Sequence, residues 1–219
     1  TQVRALTATA VGALAETQVA ALTTAQVQAL STTSISDLDA TQVAALTTAQ
    51  VAALTVTNLS ALDGTQVAAL TTTQVKALTA TQMTGLDAAD VAEFTTTQIG
   101  ALANTQLLAL TSTNMASLSE TQMAAIATIG VKVFTTTTFA AFAETQLAAL
   151  STTQVASLTT SQLQALNSTK FASFTETQIG ALTATNLATL DATQMRSFAT
   201  TQVAAFSNAN LTAFADTQL

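Results

Sequence analysis

Residues 17–24 read TQVAALTT, and this eight-residue unit, here called the octad, decides the fold. Octad positions 1 to 8 are numbered from Thr17 to Thr24. Position 3 is apolar in every copy from Val3 to Leu219, and position 6 is Leu, Phe or Ile, without a slip of register. A spacing of three does not fit one face of a strand, whose side chains alternate with period two, but it fits a helical turn.

Polar residues mark where each helix begins. Position 7 is Thr, Ser, Asp or Asn in 21 of 27 copies, and these are the preferred N-cap residues. Gln follows three residues later in most copies, which predicts a capping box, and the apolar residues at positions 6 and 3 predict the accompanying hydrophobic staple. Each octad is therefore expected to form about six residues of helix and a two-residue corner.

Charged residues support this frame. Ten of twelve acidic residues fall where the helix dipole favours them. The cap holds Asp39, Asp63, Asp87 and Asp191, the first helical position holds Glu16, Glu120, Glu144, Glu176 and Asp216, and the third holds Asp90. Four of five basic residues share position 4 (Arg4, Lys76, Lys132 and Arg196), which is expected to face water, and the small residues of position 5 are expected at a helix–helix contact.

Helices this short are marginal alone and must bury their apolar residues against other copies. The sequence therefore predicts an all-α solenoid of very short capped helices, one per octad. Residues 17–40, 41–64 and 65–88 resemble one another more than single octads do, so each of these ranges is expected to form one coil of three octads. Two octads per coil and a β-solenoid remain alternatives.

The octad runs through the whole chain, so a single continuous solenoid is predicted over residues 1–219. The phase of the longer, three-octad period changes near 89–96. An irregular copy at 127–138 lacks Gln, and it is interpreted as a degenerate copy in preference to a local kink. Both terminal copies are ordinary octad sequence, which indicates an excerpt of a longer array or a subunit that stacks end to end.

Composition argues against several functions. A net charge of −7 disfavours nucleic acid, and no apolar run is long enough for membrane insertion. Because His and Cys are absent, the usual catalytic triad, a thiol nucleophile and a Cys/His metal site are excluded. The sequence therefore predicts no enzyme, no catalytic, cofactor-binding or metal-binding residue, and no cofactor.

Three further features have a structural interpretation that is favoured over a functional one. Asp87, Asp90 and Glu93 form the closest acidic cluster, a weak Ca²⁺ site or simply helix-dipole partners. Aromatic residues toward the C-terminal half are either a ligand groove or large core residues, namely Phe139, Phe142, Phe171 and Phe174. Glycosylation acceptor patterns begin at Asn58, Asn167 and Asn210.

Thr occupies position 1 in 22 of 28 copies and is expected to form rows along the solenoid. Such rows suggest binding to ice or a crystalline polysaccharide, although stacked helices would space them at roughly 9 Å. A peptide-binding solenoid would need a non-repeating groove, and the near-uniform surface argues against it.

The Thr-Gln-Val-Ala-Ala-Leu octads resemble tracts in large secreted or cell-surface repeat proteins of bacteria, and the resemblance covers the entire chain. It implies an extracellular adhesin, stalk or filament and identifies no functional residue. The leading hypothesis is therefore a structural rod at the cell surface or outside it, whose partner is itself, with possible glycan or surface contact.

Overall fold

The computed structural model of the chain describes residues 7–212, and within this range it contains helices and no strand. Each of 26 helices is four to six residues long, and each begins at octad position 8. Arg4, Asp216 and the two terminal copies lie outside the described residues. The prediction of one short helix per octad is confirmed.

The chain forms two compact units, Thr1–Leu110 and Thr111–Leu219. The single continuous solenoid over 1–219 stays a prediction. Unit 1 contains α1 (Ala8–Gly12), α2 (Glu16–Ala20), α3 (Thr24–Gln28), α4 (Thr32–Ser36), α5 (Ala40–Ala45), α6 (Thr48–Ala53), α7 (Val56–Leu59), α8 (Gly64–Ala69), α9 (Thr72–Ala77), α10 (Ala80–Gly85), α11 (Ala88–Ala92), α12 (Thr96–Ala101) and α13 (Asn104–Ala109). Unit 2 contains α14 (Ser112–Ser117), α15 (Glu120–Ala125), α16 (Thr128–Val133), α17 (Thr136–Ala141), α18 (Glu144–Ala148), α19 (Thr152–Ala156), α20 (Thr160–Gln164), α21 (Ser168–Ala172), α22 (Glu176–Gly180), α23 (Ala184–Leu187), α24 (Ala192–Arg196), α25 (Thr200–Ala204) and α26 (Asn208–Leu211).

A capping box begins most of the described helices, as the sequence predicts. In α3 the Thr23 hydroxyl accepts the Gln26 backbone N–H at 3.2 Å, and Gln26 Oε1 accepts the Thr23 backbone N–H at 2.7 Å. The corner between helices consists of positions 6 and 7 in extended conformation, as in Leu54 (φ −56°, ψ 136°) and Thr55 (φ −67°, ψ 156°). Because no described residue has a positive φ, the corner requires no glycine.

Within each unit, the helices pack chiefly on the helix three places along the chain. In unit 1, α2 packs on α5 and α5 on α8, while α3 packs on α6 and α6 on α9; unit 2 repeats this with α14 on α17 and α17 on α20. One coil is therefore three helices, one from each of three successive octads. This confirms the three-octad prediction, and the alternatives of two octads per coil and a β-solenoid are wrong.

Positions 3 and 6 form the core around which each coil turns, as shown by Val43 and Leu46, which are 0% and 4% exposed. The four Phe residues considered for a ligand groove are buried core residues. Their rings pack edge to face, with centroids 5.4 Å apart for Phe139 and Phe142 and 5.6 Å apart for Phe171 and Phe174.

The remaining positions follow the predicted exposure. Lys76, Lys132 and Arg196, at position 4, are exposed. Position 5 lies against the preceding coil, because a Cβ on Gly85 would stand 2.6 Å from Val56 Cγ1. The irregular copy contains α16 and the start of α17, and its interpretation as a degenerate copy stays a prediction. Ala127 there has no side-chain cap bond, and the backbone of Gly130 is buried where other copies place Gln.

Candidate functional site

Gln at position 2 links successive coils. Gln74 is 3% exposed, and its Oε1 accepts the Thr71 backbone N–H at 2.7 Å. Its Nε2 donates to the backbone carbonyls of Val43 at 3.0 Å and Leu46 at 2.7 Å, with a third contact to Ala44 at 3.2 Å. These carbonyls lie at the C-terminal end of α5, where few backbone donors of the helix itself remain. One side-chain amide therefore satisfies backbone groups both at the start of α9 and at the end of α5 in the preceding coil.

The same bond, from the side-chain amide to a position 6 carbonyl of the preceding coil, recurs in both units, and we call this set the glutamine ladder. Each member occupies position 2 and is at most 5% exposed. Its members are Gln42, Gln50, Gln66, Gln74, Gln82, Gln98 and Gln106 in unit 1 and Gln146, Gln154, Gln162, Gln178, Gln194 and Gln202 in unit 2. No buried side-chain nitrogen or oxygen among the described residues lacks a hydrogen-bond partner.

Substitutions at position 2 modify the ladder in ways that follow from their chemistry. The shorter Asn186 amide reaches only the Leu158 carbonyl, at 3.0 Å. Lys170 Nζ donates to the Ala140 carbonyl. Asp90 has no donor, and it instead accepts the Ser60 hydroxyl at 2.7 Å. These copies therefore still contact the preceding coil, but they make fewer hydrogen bonds, or, as in Asp90, the position 2 side chain accepts a bond where Gln would donate one.

Two of the three acidic residues singled out in the sequence, Asp87 and Asp90, form the capping box of α11. Asp87 Oδ1 accepts the backbone N–H groups of Ala89 and Asp90, at 2.8 and 2.9 Å, and Asp90 Oδ2 accepts that of Asp87 at 3.0 Å. Burial raises the pKa of Glu93, and the neighbouring carboxylates of Asp90, Asp63 and Asp87 raise it further. Residues 7–212 contain no group of three or more His, Cys, Asp or Glu arranged to hold a metal ion.

The pKa of Asp39, the N-cap of α5, is shifted in the opposite direction. The Thr41 hydroxyl donates to Asp39 Oδ1 at 2.7 Å, and the Gln42 backbone N–H donates to the same oxygen at 2.8 Å. These bonds lower the pKa of Asp39, the Thr41 hydroxyl being the larger cause.

Position 1 faces solvent in every described copy whose side chain is placed, so the predicted threonine rows are exposed. Because each coil has three octads, members of one row recur at every third octad. We call two uninterrupted sets the threonine rows: Thr9, Thr33, Thr57, Thr81 and Thr105 in unit 1, and Thr121, Thr145, Thr169 and Thr193 in unit 2.

The three glycosylation acceptor patterns differ in accessibility. Asn58 and Asn210 are buried, and their Nδ2 groups donate to the carbonyls of Leu30 and Leu182. Asn167 is an exposed N-cap whose Oδ1 accepts the Lys170 backbone N–H at 2.9 Å. Glycan attachment in the folded chain is therefore compatible with Asn167 alone among the three.

The glutamine ladder was missed in the sequence, which indicated only the capping box. The signal that reveals it is the absence of Glu from position 2 in all 28 copies. Glu serves a capping box as well as Gln does, but its carboxylate cannot donate a hydrogen bond. Exclusion of Glu therefore indicates a need for the amide N–H.

Short capped helices, coils of three octads and a buried amide ladder define a helical repeat solenoid. A family model described as the ALTTAQ repeat matches residues 19–56, and the chain is similar to that family over this stretch. A comparison with curated proteins gave no match. In the described range no helix has the length and apolar character needed to cross a membrane.

Proposed function

We propose that this chain is a structural segment of an extracellular filament, stalk or adhesin, and that it has no enzymatic role. The observation that carries the proposal is the repetition of one coil interface: each ladder Gln makes the same bond to a position 6 carbonyl of the coil before it. An interface built from repeated backbone carbonyls can be extended by another coil without new chemistry. Such an array suits a structural scaffold, because the number of coils determines how far it extends.

The end coils supply the contacts for stacking in this proposal. Gln18 and Gln26 each accept the backbone N–H of their cap residue, but within residues 7–212 no carbonyl accepts a bond from their Nε2 groups. Toward the other end Val203 and Leu211, at the core position 3, are 45% and 47% exposed. Amide donors in unit 1 and apolar side chains in unit 2 are groups of the kind that an internal coil interface buries. The proposed partner is a second copy or a continuation of the same longer chain.

Light scattering over a concentration series, with negative-stain electron microscopy, tests the stacking. The native chain should form fibres or long stalks. Replacing Gln18 and Gln26 with Glu should reduce assembly, because a carboxylate cannot donate to a carbonyl. The matched control places Glu at Thr17 and Ala25, which are exposed at position 1, so the charge change is equal. Discrete monomers at every concentration would exclude stacking, and turnover of a small molecule would exclude a purely structural role.

A second candidate function is binding of the threonine rows to ice or a crystalline polysaccharide. The observation that favours it is the exposure of five successive Thr residues in one row of unit 1. An ice-recrystallisation assay and a pull-down on insoluble polysaccharide sheets test it. Replacing Thr33 and Thr57 with Lys should abolish binding, whereas the same change at Ala25 and Ala49, two successive positions of another row that hold no Thr, should not. Equal loss in both variants would contradict a role of this row.

A further inference from the structure

Two residue pairs of complementary size join successive coils in unit 1. Gly85 is the one Gly at position 5 in the whole chain, and it lies against Val56, the one Val at position 8. In the adjacent octads Gly64, the one Gly at position 8, lies against Glu93, the one Glu at position 5. Each glycine therefore faces a residue that occurs nowhere else at its octad position.

The contacts leave little room at either glycine. A Cβ on Gly85 would stand 2.6 Å from Val56 Cγ1 and 2.7 Å from Cγ2, and a β-branched side chain has few rotamers that could relieve this. A Cβ on Gly64 would be in van der Waals contact with Glu93, 3.8 Å from Cγ and 3.9 Å from Oε1, so a side chain longer than Ala would overlap with Glu93. Val56 therefore requires a Gly opposite it, and Glu93 requires a residue no larger than Ala.

Two other features of the chain do not determine which helix packs on which. The acceptors of the glutamine ladder are backbone carbonyls, which every octad supplies. The residues other than Gln at position 2 lie on α4 and α7 as far as Asn58, but the next one, Asp90, lies on α11. A stacking that followed these residues would place α11 on α7. In the structure α10 packs on α7 instead, and α11 lies against α8.

The two pairs exclude this alternative register. With α11 on α7, position 5 of α11 would face position 8 of α7, and Glu93 would therefore meet Val56. In the observed register each of these two residues faces a Gly. We propose that the pairs Val56–Gly85 and Gly64–Glu93 fix the stacking register of unit 1 at the point where the three-octad period of the sequence changes phase.

Spin labels can report the register, because the chain has no Cys and introduced cysteines would be labelled alone. Thr57→Cys with Thr81→Cys, the first label pair, places two nitroxides at exposed position 1 of α7 and α10, roughly 9 Å apart in the observed register. Thr57→Cys with Ala89→Cys, the second label pair, reports α11 lying on α7. Continuous-wave EPR of the refolded native sequence should show stronger dipolar broadening in the first pair than in the second.

Exchanging the two position 5 residues should reverse this result. Gly85→Glu with Glu93→Gly keeps the composition and the net charge, but it puts a Glu opposite Val56 in the observed register and a Gly opposite Val56 in the alternative one. The broadening should therefore fall in the first label pair and rise in the second. Adding Val56→Gly and Gly64→Val restores both size pairs in the observed register, and this matched variant should regain the native pattern.

A levelled variant separates register from stability. Val56→Thr, Gly64→Thr, Gly85→Ala and Glu93→Ala introduce the commonest residues of positions 8 and 5. The variant should retain the far-ultraviolet circular dichroism of the native chain, but it should refold with a second component in which the second label pair is broadened. The native pattern alone, in the levelled variant or in the exchange variant, would overturn the proposal. Failure of the matched variant to regain the native pattern would do the same.

Discussion

Replacing Gln74 with Met should show what the glutamine ladder contributes to stability. Met preserves the length and apolar stem of the side chain but removes both polar atoms. The change leaves the Leu46 carbonyl without the donor at 2.7 Å and the Thr71 N–H without the acceptor at 2.7 Å. The Val43 carbonyl is less affected, because it still accepts the Leu46 N–H at 3.2 Å.

The expected magnitude follows from these two groups. An unsatisfied buried polar group costs roughly 1–3 kcal/mol, and the Thr71 N–H, at an exposed cap, falls at the low end. We therefore expect Gln74→Met to lower the free energy of unfolding by about 2–4 kcal/mol. The matched variant Gln18→Met removes only an exposed bond to the Ala15 N–H, and should cost about 0.5–1 kcal/mol.

Urea denaturation followed by far-ultraviolet circular dichroism measures both variants, and hydrogen exchange locates the loss near α5 and α9. A third variant, Gln74→Glu, keeps an acceptor but lacks a donor while ionised. Its stability deficit should shrink as pH falls toward about 4, the ordinary pKa of Glu, because burial favours the protonated acid and that acid can donate to the Leu46 carbonyl. Equal destabilisation by Gln74→Met and Gln18→Met would refute the contribution assigned to the bonds between coils.

Three further predictions concern other octad positions. Leu78→Asp puts a charge at a core site that is 3% exposed, so it should lower the unfolding midpoint strongly and separate the transition near that coil, whereas Lys76→Asp on the surface should do neither. The pKa of Glu93 in the folded chain is raised above its ordinary value of 4.5, so the free energy of unfolding falls as pH rises through the raised pKa. Glu93→Gln should therefore raise the unfolding midpoint at pH 7 and change it little at pH 3. An equal gain at both pH values would contradict this. Gly85→Ala should destabilise unit 1, because the added Cβ would stand 2.6 and 2.7 Å from the two Val56 methyl carbons. Adding Val56→Ala should restore stability. A lasting loss of stability in the double variant would show that the clash is not the cause.

The helices could be predicted because their determinants lie within one turn. Asp39 and Gln42 are three residues apart, and the reciprocal bonds expected from that spacing form at 2.8 Å each. The number of octads per coil could also be predicted from the sequence, because residues other than Gln recur at position 2 in every third octad, as at Ala10, Ser34 and Asn58. Local chemistry and a longer period were together sufficient for the fold.

The bonds between coils could not be derived in the same way. Gln42 Nε2 donates to the carbonyl of Leu14, a residue of the preceding coil, and that pairing depends on how one coil lies on the next. A backbone acceptor leaves no side-chain signature, so only the identity of the donor residue can reveal it.

The chemistry required at position 2 explains which residues occur there. The site must accept the cap N–H and donate to a carbonyl of the preceding coil, and an uncharged amide does both. Gln has the reach for two carbonyls, as Gln74 shows, whereas Asn186 reaches one. Lys170 can only donate, and Asp90 can only accept and needs the Ser60 hydroxyl as its partner. Because the acceptors are backbone carbonyls, which every octad supplies, an added coil meets the same partners whatever its surface residues. The surface positions, such as those of the threonine rows, are therefore free to vary without altering the array beneath them.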